Sequence, residues 1–243
     1  MKEEKEKNVD PEGHRYGNFL NYYNFHSAEE RIQQLPLNIW NSSDEVDYKF
    51  SALDIGCNSG NLSCLLYNFL QDNVSPKDKC KISLLGIDLD SKLIDKAQLQ
   101  CPTSSVIKFE CLDFLSQDRE QLISDHLKSI NKSKFNVAFC FSITMWIHLN
   151  HGDEGLIKFL KTVCEISDMI VIEPQQWKSY RNASRRLRKA NVDDFLLLNK
   201  LKLKGDMYMH IAKILKNECN FSNVTITNEN NWQRRLLIYK RKS

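Results

Sequence analysis

Hydrophobic runs alternate with amphipathic stretches along most of the chain. Five short apolar runs have the length and composition of buried strands, and they cover residues 50–55, 82–87, 106–109, 137–141 and 169–172. Apolar residues at helical spacing follow the first four runs, over residues 62–70, 91–99, 122–130 and 155–166. Strands that alternate with helices predict the α/β class, with a doubly wound, mostly parallel sheet.

The beginning of the chain departs from this alternation. Residues 1–13 are charged and predict a disordered tail, whereas residues 14–243 predict a single domain. Aromatic residues are frequent over residues 14–40, which predicts a segment that packs over the domain as a lid. Ser27 followed by Glu30 is a capping box and predicts a short helix within this segment.

The residues after the fifth run predict further helices and a hairpin. A basic run over 181–189 begins a helix-rich insertion that extends to residue 204. A helix over 211–219 follows, and the apolar residues of 221–227 and 236–239 predict a terminal antiparallel hairpin.

The composition favours a protein of a reducing, cytoplasmic compartment. A chain of 243 residues with 42% hydrophobic content forms a full core, and a net charge of +3 leaves its surface only mildly basic. Eight cysteines in a chain that opens without an apolar signal segment favour free thiols over a disulfide framework. Their spacing lacks the pairs of a zinc ribbon, and no run reaches the roughly 18 apolar residues that cross a bilayer. The sequence thus predicts neither a metal site nor a membrane partner.

Small and acidic residues follow the first three predicted strands. In an open parallel sheet, a ligand binds beyond the carboxyl ends of the strands. Gly56 and Gly60 let the backbone approach such a ligand, while Asp54 organises the loop or meets an ammonium group. Asp88 ends the second strand, where a carboxylate accepts hydrogen bonds from ribose hydroxyls, and Asp113 follows the third strand, where it accepts from an adenine amine.

The loop over 56–60 is compatible with two cofactors. A nicotinamide-binding protein shares the glycines and the acid after the second strand, but its fingerprint has a further glycine where this chain has Asn58. That glycine admits a pyrophosphate, which S-adenosylmethionine lacks. An ordinary structural turn also has this composition, but the acids at Asp88 and Asp113 favour a cofactor site. The sequence therefore predicts S-adenosylmethionine as cofactor and S-adenosylhomocysteine as product.

The segment after the fourth strand bears on the methyl acceptor. Amino-directed nucleic-acid methyltransferases place an Asn/Asp-Pro-Pro-Tyr type motif there, whereas residues 140–153 contain no such motif. The chain also lacks the Pro-Cys pair of enzymes that methylate carbon-5 of cytosine. Both acceptor classes are disfavoured.

Several motifs resemble the bicoid-interacting-3 domain family of RNA methyltransferases, and in particular its cytoplasmic RNA 5′-monophosphate branch. The resemblance runs from Tyr16 to about Tyr239, and its most specific pieces are residues 17–19, 54–60, 142–153, 173–180 and 185–189. The Glu-Pro-Gln-Pro-Trp of the family is changed here at Gln176. The resemblance implies methylation of the 5′-monophosphate of RNA, with histidine tRNA and microRNA precursors as substrates.

The resemblance also implies roles for individual residues. The cofactor contacts of the family fall on Arg31, Asn58, Asp88, Asp113, Phe114 and Phe141. Tyr22 matches an aromatic position near the site of methyl transfer.

Transfer to a phosphate requires positioning more than proton removal. A phosphate monoester has a second pKa near 6 and is already a nucleophilic dianion at neutral pH. We therefore expect a few donors around the phosphate, and the predicted catalytic group comprises Tyr22, Lys178, His148 and His151. The predicted RNA contacts are the cations of the basic run, Arg181, Arg185, Arg186, Arg188 and Lys189, of which Arg181 is also a candidate for the terminal phosphate.

Simpler interpretations compete with these predictions. Each histidine is more often a hydrogen-bonded structural residue, and a basic run is usually the solvated face of a helix. A small-molecule or protein methyltransferase shares the same cofactor half, and a non-catalytic RNA-binding protein shares the same fold. The chain is expected to act as a monomer.

Overall fold

A computed structural model describes residues 15–19, 22–24, 26–41, 48–77, 79–101 and 105–242. The tail predicted over residues 1–13 lies outside these described residues. Within them, seven strands form one sheet in the order β3-β2-β1-β4-β5-β7-β6. Their bounds are Lys49–Ile55 (β1), Lys81–Asp88 (β2), Ile107–Cys111 (β3), Val137–Phe141 (β4), Met169–Glu173 (β5), Phe221–Ile226 (β6) and Leu237–Arg241 (β7).

The helices of the described residues lie on both faces of this sheet. They are Ala28–Gln33 (α1), Asn61–Asn73 (α2), Ser91–Gln100 (α3), Asp118–Ser129 (α4), Thr144–Ile166 (α5), Trp177–Lys189 (α6) and Met207–Glu218 (α7), with 3₁₀ turns at Tyr22–Asn24 and Leu198–Lys200. Residues of α1, α2 and α3 pack in the core of one face, and residues of α4 to α7 pack in the core of the other. Successive strand residues enter opposite cores, as Ala52 and Leu53 do, because side chains alternate along a strand.

The sheet is parallel from β3 to β5 and antiparallel where β7 joins it. From β1 the chain winds outward to β2 and β3, then returns to form β4 on the other side of β1. The carboxyl ends of β1 and β4 therefore lie at the point where the winding direction reverses, which is where open α/β sheets bind ligands. The predicted doubly wound sheet and the antiparallel pairing of β6 with β7 are confirmed.

Two helix predictions are corrected in extent. The predicted helix over 155–166 is confirmed, but a further helical stretch that was not predicted begins at Thr144. Gly152, with a non-helical φ of 72° and ψ of −172°, forms the kink between the two stretches. The basic helix ends at Lys189 instead of continuing to residue 204. Asn191 with a φ of 54° turns the chain there, and beyond it the helical content of the predicted insertion is the single 3₁₀ turn.

One pair of cysteines was not predicted to be bonded. Cys64 of α2 and Cys101, which directly follows α3, form a disulfide. Cys57, Cys111, Cys140, Cys164 and Cys219 form no disulfide among the described residues. Among the described residues, no helix combines the length and apolar character of a membrane span.

Candidate active site

A cavity of about 590 Å³ opens at the carboxyl ends of β1 to β4. Half of the predicted site residues line it, namely Tyr22, Arg31, Gly56, Asn58, Asp88, Asp113, Phe114, Phe141 and His151. The others lie outside its lining: Asp54, Gly60, His148, Lys178, Arg181, Arg185, Arg186, Arg188 and Lys189. The sheet thus brings together seven of the nine residues predicted to contact the cofactor and leaves all five predicted RNA contacts outside.

The loop between β1 and α2 forms one wall of the cavity. Gly56 has a φ of 79°, and a β-carbon there would overlap the side chain of Ile143. Asn58 also has a left-handed φ of 52°, a conformation that asparagine tolerates better than most residues. Its backbone N–H donates to Asp88, 2.9 Å away, so the loop is held to the end of β2.

Asp54 and Gly60 support this loop from behind. The carboxylate of Asp54 is buried and accepts a hydrogen bond of 2.6 Å from the hydroxyl of Ser63. Burial raises the pKa of Asp54 to about 6, against the lowering effect of that hydrogen bond. Gly60 has a φ of 80° and precedes α2, where a β-carbon would come within 2.9 Å of Ala97 and Phe109. Both residues shape the loop without lining the cavity.

Acidic and aromatic side chains lie at the ends of β2 and β3. Asp88 is nearly buried and accepts hydrogen bonds from the backbone N–H groups of Asn58 and Asp90. Burial raises the pKa of Asp88, and these hydrogen bonds act in the opposite direction. Asp113 is exposed and accepts from the N–H of Leu115, while Phe114 is buried in the cavity wall. A carboxylate and an aromatic face in this order suit a ribose followed by a base.

Residues 15–19 cross over the cavity and join its opposite sides. The backbone oxygen of Arg15 accepts from Asn150 of α5, and that of Phe19 accepts from the side chain of Asn58. Gly17 has a φ of 81°, and a β-carbon there would overlap the indole ring of Trp146. We name residues 15–19 the lid segment; they belong to the longer segment, residues 14–40, that the aromatic composition predicts to pack over the domain.

A buried group of charges closes the cavity above β4 and β5. Glu173, at the end of β5, is fully buried and lies 3.0 Å from the guanidinium of Arg31 and 3.3 Å from that of Arg234. The hydroxyl of Ser142 donates to the same carboxylate and accepts from both arginines. We call Arg31, Ser142, Glu173 and Arg234 the Glu173 cluster. Its two cations surround one anion, so it carries net positive charge.

The opposite charges within the Glu173 cluster favour the ionised forms of Glu173 and Arg31. Burial alone would raise the pKa of Glu173, but the charges of Arg31 and Arg234 and the hydrogen bonds lower it to about 2. Burial would lower the pKa of Arg31, whereas Glu173 raises it above its ordinary value. Glu173 and Arg31 are therefore both ionised at neutral pH.

Tyr22 and His26 extend this wall. The hydroxyl oxygen of Tyr22 accepts a hydrogen bond of 2.8 Å from Arg31, and its ring stacks on His26. Burial, together with the charges of Arg234 and Arg31, lowers the pKa of His26 to about 4, so this imidazole is neutral at pH 7. It supplies a polar surface without adding a cation.

The two histidines predicted as catalytic have different environments. His151 is exposed and lines the cavity. His148 is fully buried, with Nδ1 3.0 Å from the Tyr180 hydroxyl and Nε2 2.8 Å from a carboxylate oxygen of Asp153. Burial lowers the pKa of His148, so the neutral ring donates from Nε2 and accepts at Nδ1. Both ring nitrogens are engaged, which leaves His148 no contact to offer a substrate.

The predicted basic residues form a stripe along α6. The apolar face of this helix buries Tyr180, Ala183 and Leu187. The opposite side exposes five cations, Lys178, Arg181, Arg185, Arg188 and Lys189, which we call the basic stripe. Arg186 points elsewhere, because its guanidinium lies over the rings of Phe19 and Trp146 and so buttresses the lid segment.

Lys178 lies near the Glu173 cluster without lining the cavity. Its ammonium group donates to the side chain of Gln233, the neighbour of Arg234 in the chain. The basic stripe therefore begins beside the end of the cavity that lies above β4 and β5.

Sequence reasoning missed Glu173, Ser142 and Arg234 as site residues. A signal existed for Glu173 and Ser142, because each follows or ends a predicted parallel strand, as Asp88 does. Arg234 carries no such signal, because it lies in a polar stretch of sequence where cations are usually exposed to solvent. Its burial depends on Glu173, 61 residues earlier in the chain.

Comparisons with known proteins agree with this geometry. The model of the family described as Bicoid-interacting protein 3 matches residues 135–241. The pre-miRNA 5′-monophosphate methyltransferase of Xenopus laevis is 38% identical over 240 residues, covering 96% of this chain and 94% of the relative. The RNA 5′-monophosphate methyltransferases of Bos taurus and Homo sapiens are 38% and 37% identical, and each match covers 99% of this chain and 85% of the relative.

Solved structures show the same fold at low identity. The carbon methyltransferase CurJ superposes with a TM-score of 0.54 at 14% identity, over 83% of this chain and 50% of that one. A SAM-dependent methyltransferase of Methanosarcina mazei gives a TM-score of 0.50 at 14% identity, over 81% of this chain and 94% of that one. The predicted Rossmann-like methyltransferase fold is confirmed.

Proposed function

Because this chain belongs to the Bicoid-interacting protein 3 family of RNA 5′-monophosphate methyltransferases, we propose that it transfers the methyl group of S-adenosylmethionine to an oxygen of an RNA 5′-monophosphate. Histidine tRNA and microRNA precursors are the proposed substrates, and a pre-miRNA is the substrate in the name of the Xenopus laevis relative. We further propose that the enzyme is monomeric and cytoplasmic and that it needs no metal.

The cavity suits S-adenosylmethionine along its whole length. Asp88 offers a carboxylate to the ribose, and Asp113 and Phe114 flank the place for the adenine. At the other end, the net positive charge of the Glu173 cluster reaches the cavity through Arg31 and matches the carboxylate of the amino-acid portion. When bound, the cofactor supplies an electrophilic methyl group on a sulfonium centre.

The acceptor end of the cavity provides positioning. A phosphate monoester at neutral pH is largely a dianion, so the reaction requires no general base. Because the Tyr22 oxygen accepts from Arg31, the hydroxyl proton of Tyr22 is available to a phosphate oxygen. Arg31 is itself fixed by Glu173, so it holds Tyr22 in one place and does not pair fully with the phosphate. A nucleophile that is oriented but not neutralised is what this transfer needs.

The observation that carries the RNA part of the proposal is the position of the basic stripe. It starts at Lys178 beside the acceptor end and runs along α6 for about 16 Å, roughly the rise of five base pairs. Five exposed cations on one side of a helix fit a phosphate backbone better than they fit a small substrate. The stripe therefore guides the RNA whose 5′ end enters the cavity.

The proposal is tested by methyl transfer from labelled cofactor to RNA. Incubation with 5′-monophosphorylated histidine tRNA or a microRNA precursor is expected to label the RNA terminus. The same RNA after phosphatase treatment should stay unlabelled, and equal labelling of both would exclude the phosphate as acceptor.

A matched pair of variants tests the basic stripe. Arg181→Ala with Arg185→Ala is expected to raise KM for RNA and to reduce the salt dependence of binding by about 0.7 to 0.9 in the log–log slope for each cation removed. Lys213→Ala with Lys216→Ala removes two exposed cations of α7 and serves as the control. Equal effects of the two double variants would refute a specific role for the stripe.

A further inference from the structure

The lid segment carries a buried asparagine, Asn18, to which the proposed function assigns no role. Asn18 is only 5% exposed, and it lines the cavity. Its amide nitrogen donates a hydrogen bond of 2.7 Å to a carboxylate oxygen of Asp90. Its side-chain oxygen is also buried, yet it has no hydrogen-bond partner among the described residues. Buried amide oxygens are normally paired, so this acceptor calls for a donor from outside the chain.

The orientation of this amide is fixed by charge. A carboxylate only accepts hydrogen bonds, so Asp90 must face the NH₂ group of Asn18 and not its oxygen. Asp90 is held in turn, because its own N–H donates to Asp88 and its side chain accepts from Lys92 at the start of α3. The oxygen of Asn18 is therefore turned away from Asp90 by a rigid group at the end of β2.

The neighbourhood of Asn18 identifies the donor. Asp88, two residues from Asp90, is the group that faces the cofactor ribose in the proposed function. Its carboxylate oxygens accept backbone N–H groups of Asn58 and Asp90, and a carboxylate has about four acceptor sites, so it has room for a ribose hydroxyl as well. The two neighbouring hydroxyl groups of a ribose bound beside Asp88 each have a proton to donate. Asp88 would accept a hydrogen bond from one hydroxyl, and a second acceptor on the other side of the ribose would accept one from the other.

We propose that the side-chain oxygen of Asn18 accepts a hydrogen bond from one ribose hydroxyl of the bound cofactor, while Asp88 accepts from the other. This inference rests on the proposed function, because it requires S-adenosylmethionine in the cavity. Asn18 thereby becomes a binding residue that couples closure of the lid segment to recognition of the ribose.

Calorimetry with S-adenosylhomocysteine and its 2′-deoxy and 3′-deoxy analogues tests the proposal on the full chain. In the wild type, removal of the hydroxyl that faces Asn18 is expected to weaken binding about fivefold. In Asn18→Ala, binding of S-adenosylhomocysteine falls by a similar factor, and removal of that same hydroxyl has no further effect. Asp90→Asn, which keeps a capping oxygen for α3 but frees the Asn18 amide to rotate, is expected to lie between the two.

The outcomes separate this inference from the proposed function. If Asn18→Ala weakens S-adenosylhomocysteine and both analogues by one common factor, Asn18 only holds the lid segment and the inference is wrong. The inference is equally wrong if the variant binds S-adenosylhomocysteine as the wild type does. Failure of the wild type to bind S-adenosylhomocysteine at all would instead overturn the proposed cofactor. Thermal unfolding of each variant checks that the fold is intact.

Discussion

Glu173→Gln is the substitution from which we expect the largest loss of stability. It keeps the shape of the side chain but leaves Arg31, which is 1% exposed, beside Arg234 without the carboxylate they share. Breaking a buried ion pair by removing one partner costs about 3–5 kcal/mol. In a chain of this size each kcal/mol lowers Tm by about 2–4 °C, so we expect Tm to fall by about 6–20 °C at pH 7.

The pH dependence gives an independent measure of the same interaction. The pKa of Glu173 falls from an ordinary 4.5 to about 2 on folding, which corresponds to about 3 kcal/mol of stability. A depressed carboxyl pKa stabilises the folded state fully above the unfolded value and loses that contribution as pH falls through the folded value. The difference in Tm between wild type and Glu173→Gln should therefore be constant above about pH 5 and should shrink between about pH 4.5 and pH 2.

Thermal unfolding by circular dichroism across this pH range is the assay. Glu154→Gln, an exposed carboxylate of α5, is the control and should change Tm by less than about 2 °C. If Glu173→Gln matches this control at pH 7, or if its deficit is the same at pH 3 as at pH 7, the Glu173 cluster does not stabilise the fold as described.

Three further substitutions test other parts of the site. Gly17→Ala forces a β-carbon into Trp146 at a φ of 81°, so affinity for S-adenosylhomocysteine measured by calorimetry should fall roughly tenfold, and an unchanged affinity would show that the lid segment does not close the cavity. His148→Phe leaves the buried Tyr180 hydroxyl unpaired and removes one hydrogen bond of Asp153, which keeps those from the N–H groups of Lys202 and Leu203. It should cost about 1–3 kcal/mol in urea unfolding, whereas kcat of the folded enzyme should stay within about twofold; a large loss of kcat would restore His148 as a catalytic residue. Asp54→Asn should raise stability by up to about 3 kcal/mol above pH 6, because burial raises the pKa of Asp54 from 3.8 to about 6 and ionisation opposes folding as pH rises through that window; a gain that does not grow between pH 4 and 6 would contradict this.

Local sequence signals were sufficient for the sheet and for the cofactor half of the site. Each parallel strand is a short apolar run, and its carboxyl end is fixed by a change to polar residues, as at Asp88. Because parallel strands end at one edge, the predicted residues Gly56, Asn58, Asp88 and Asp113 had to converge, and all four line the cavity. Here sequence position determines spatial position.

The acceptor half could not be predicted in the same way. Glu173 and Arg234 come together because β7 lies beside β5, and this pairing has no signature in the spacing of the two residues. The kink at Gly152 could not be predicted either, because a glycine that kinks a helix and a glycine that ends a helix have the same local sequence. The roles of the two histidines depend on burial, which the sequence does not show. In the structure His148 is buried, whereas His151 lines the cavity.

The insertion of β7 between β5 and β6 has a consequence for how the protein is made on the ribosome. Five parallel strands emerge first, and the free edge of β5 stays open while α6, α7 and β6 are synthesised. Only when β7 arrives does that edge close, and the same loop delivers Arg234 to Glu173. Before that step Arg31 and Glu173 form a neutral ion pair, and the pairing of β7 adds Arg234, which gives the Glu173 cluster its net positive charge. Closure of the sheet edge and completion of the Glu173 cluster thus occur in one event.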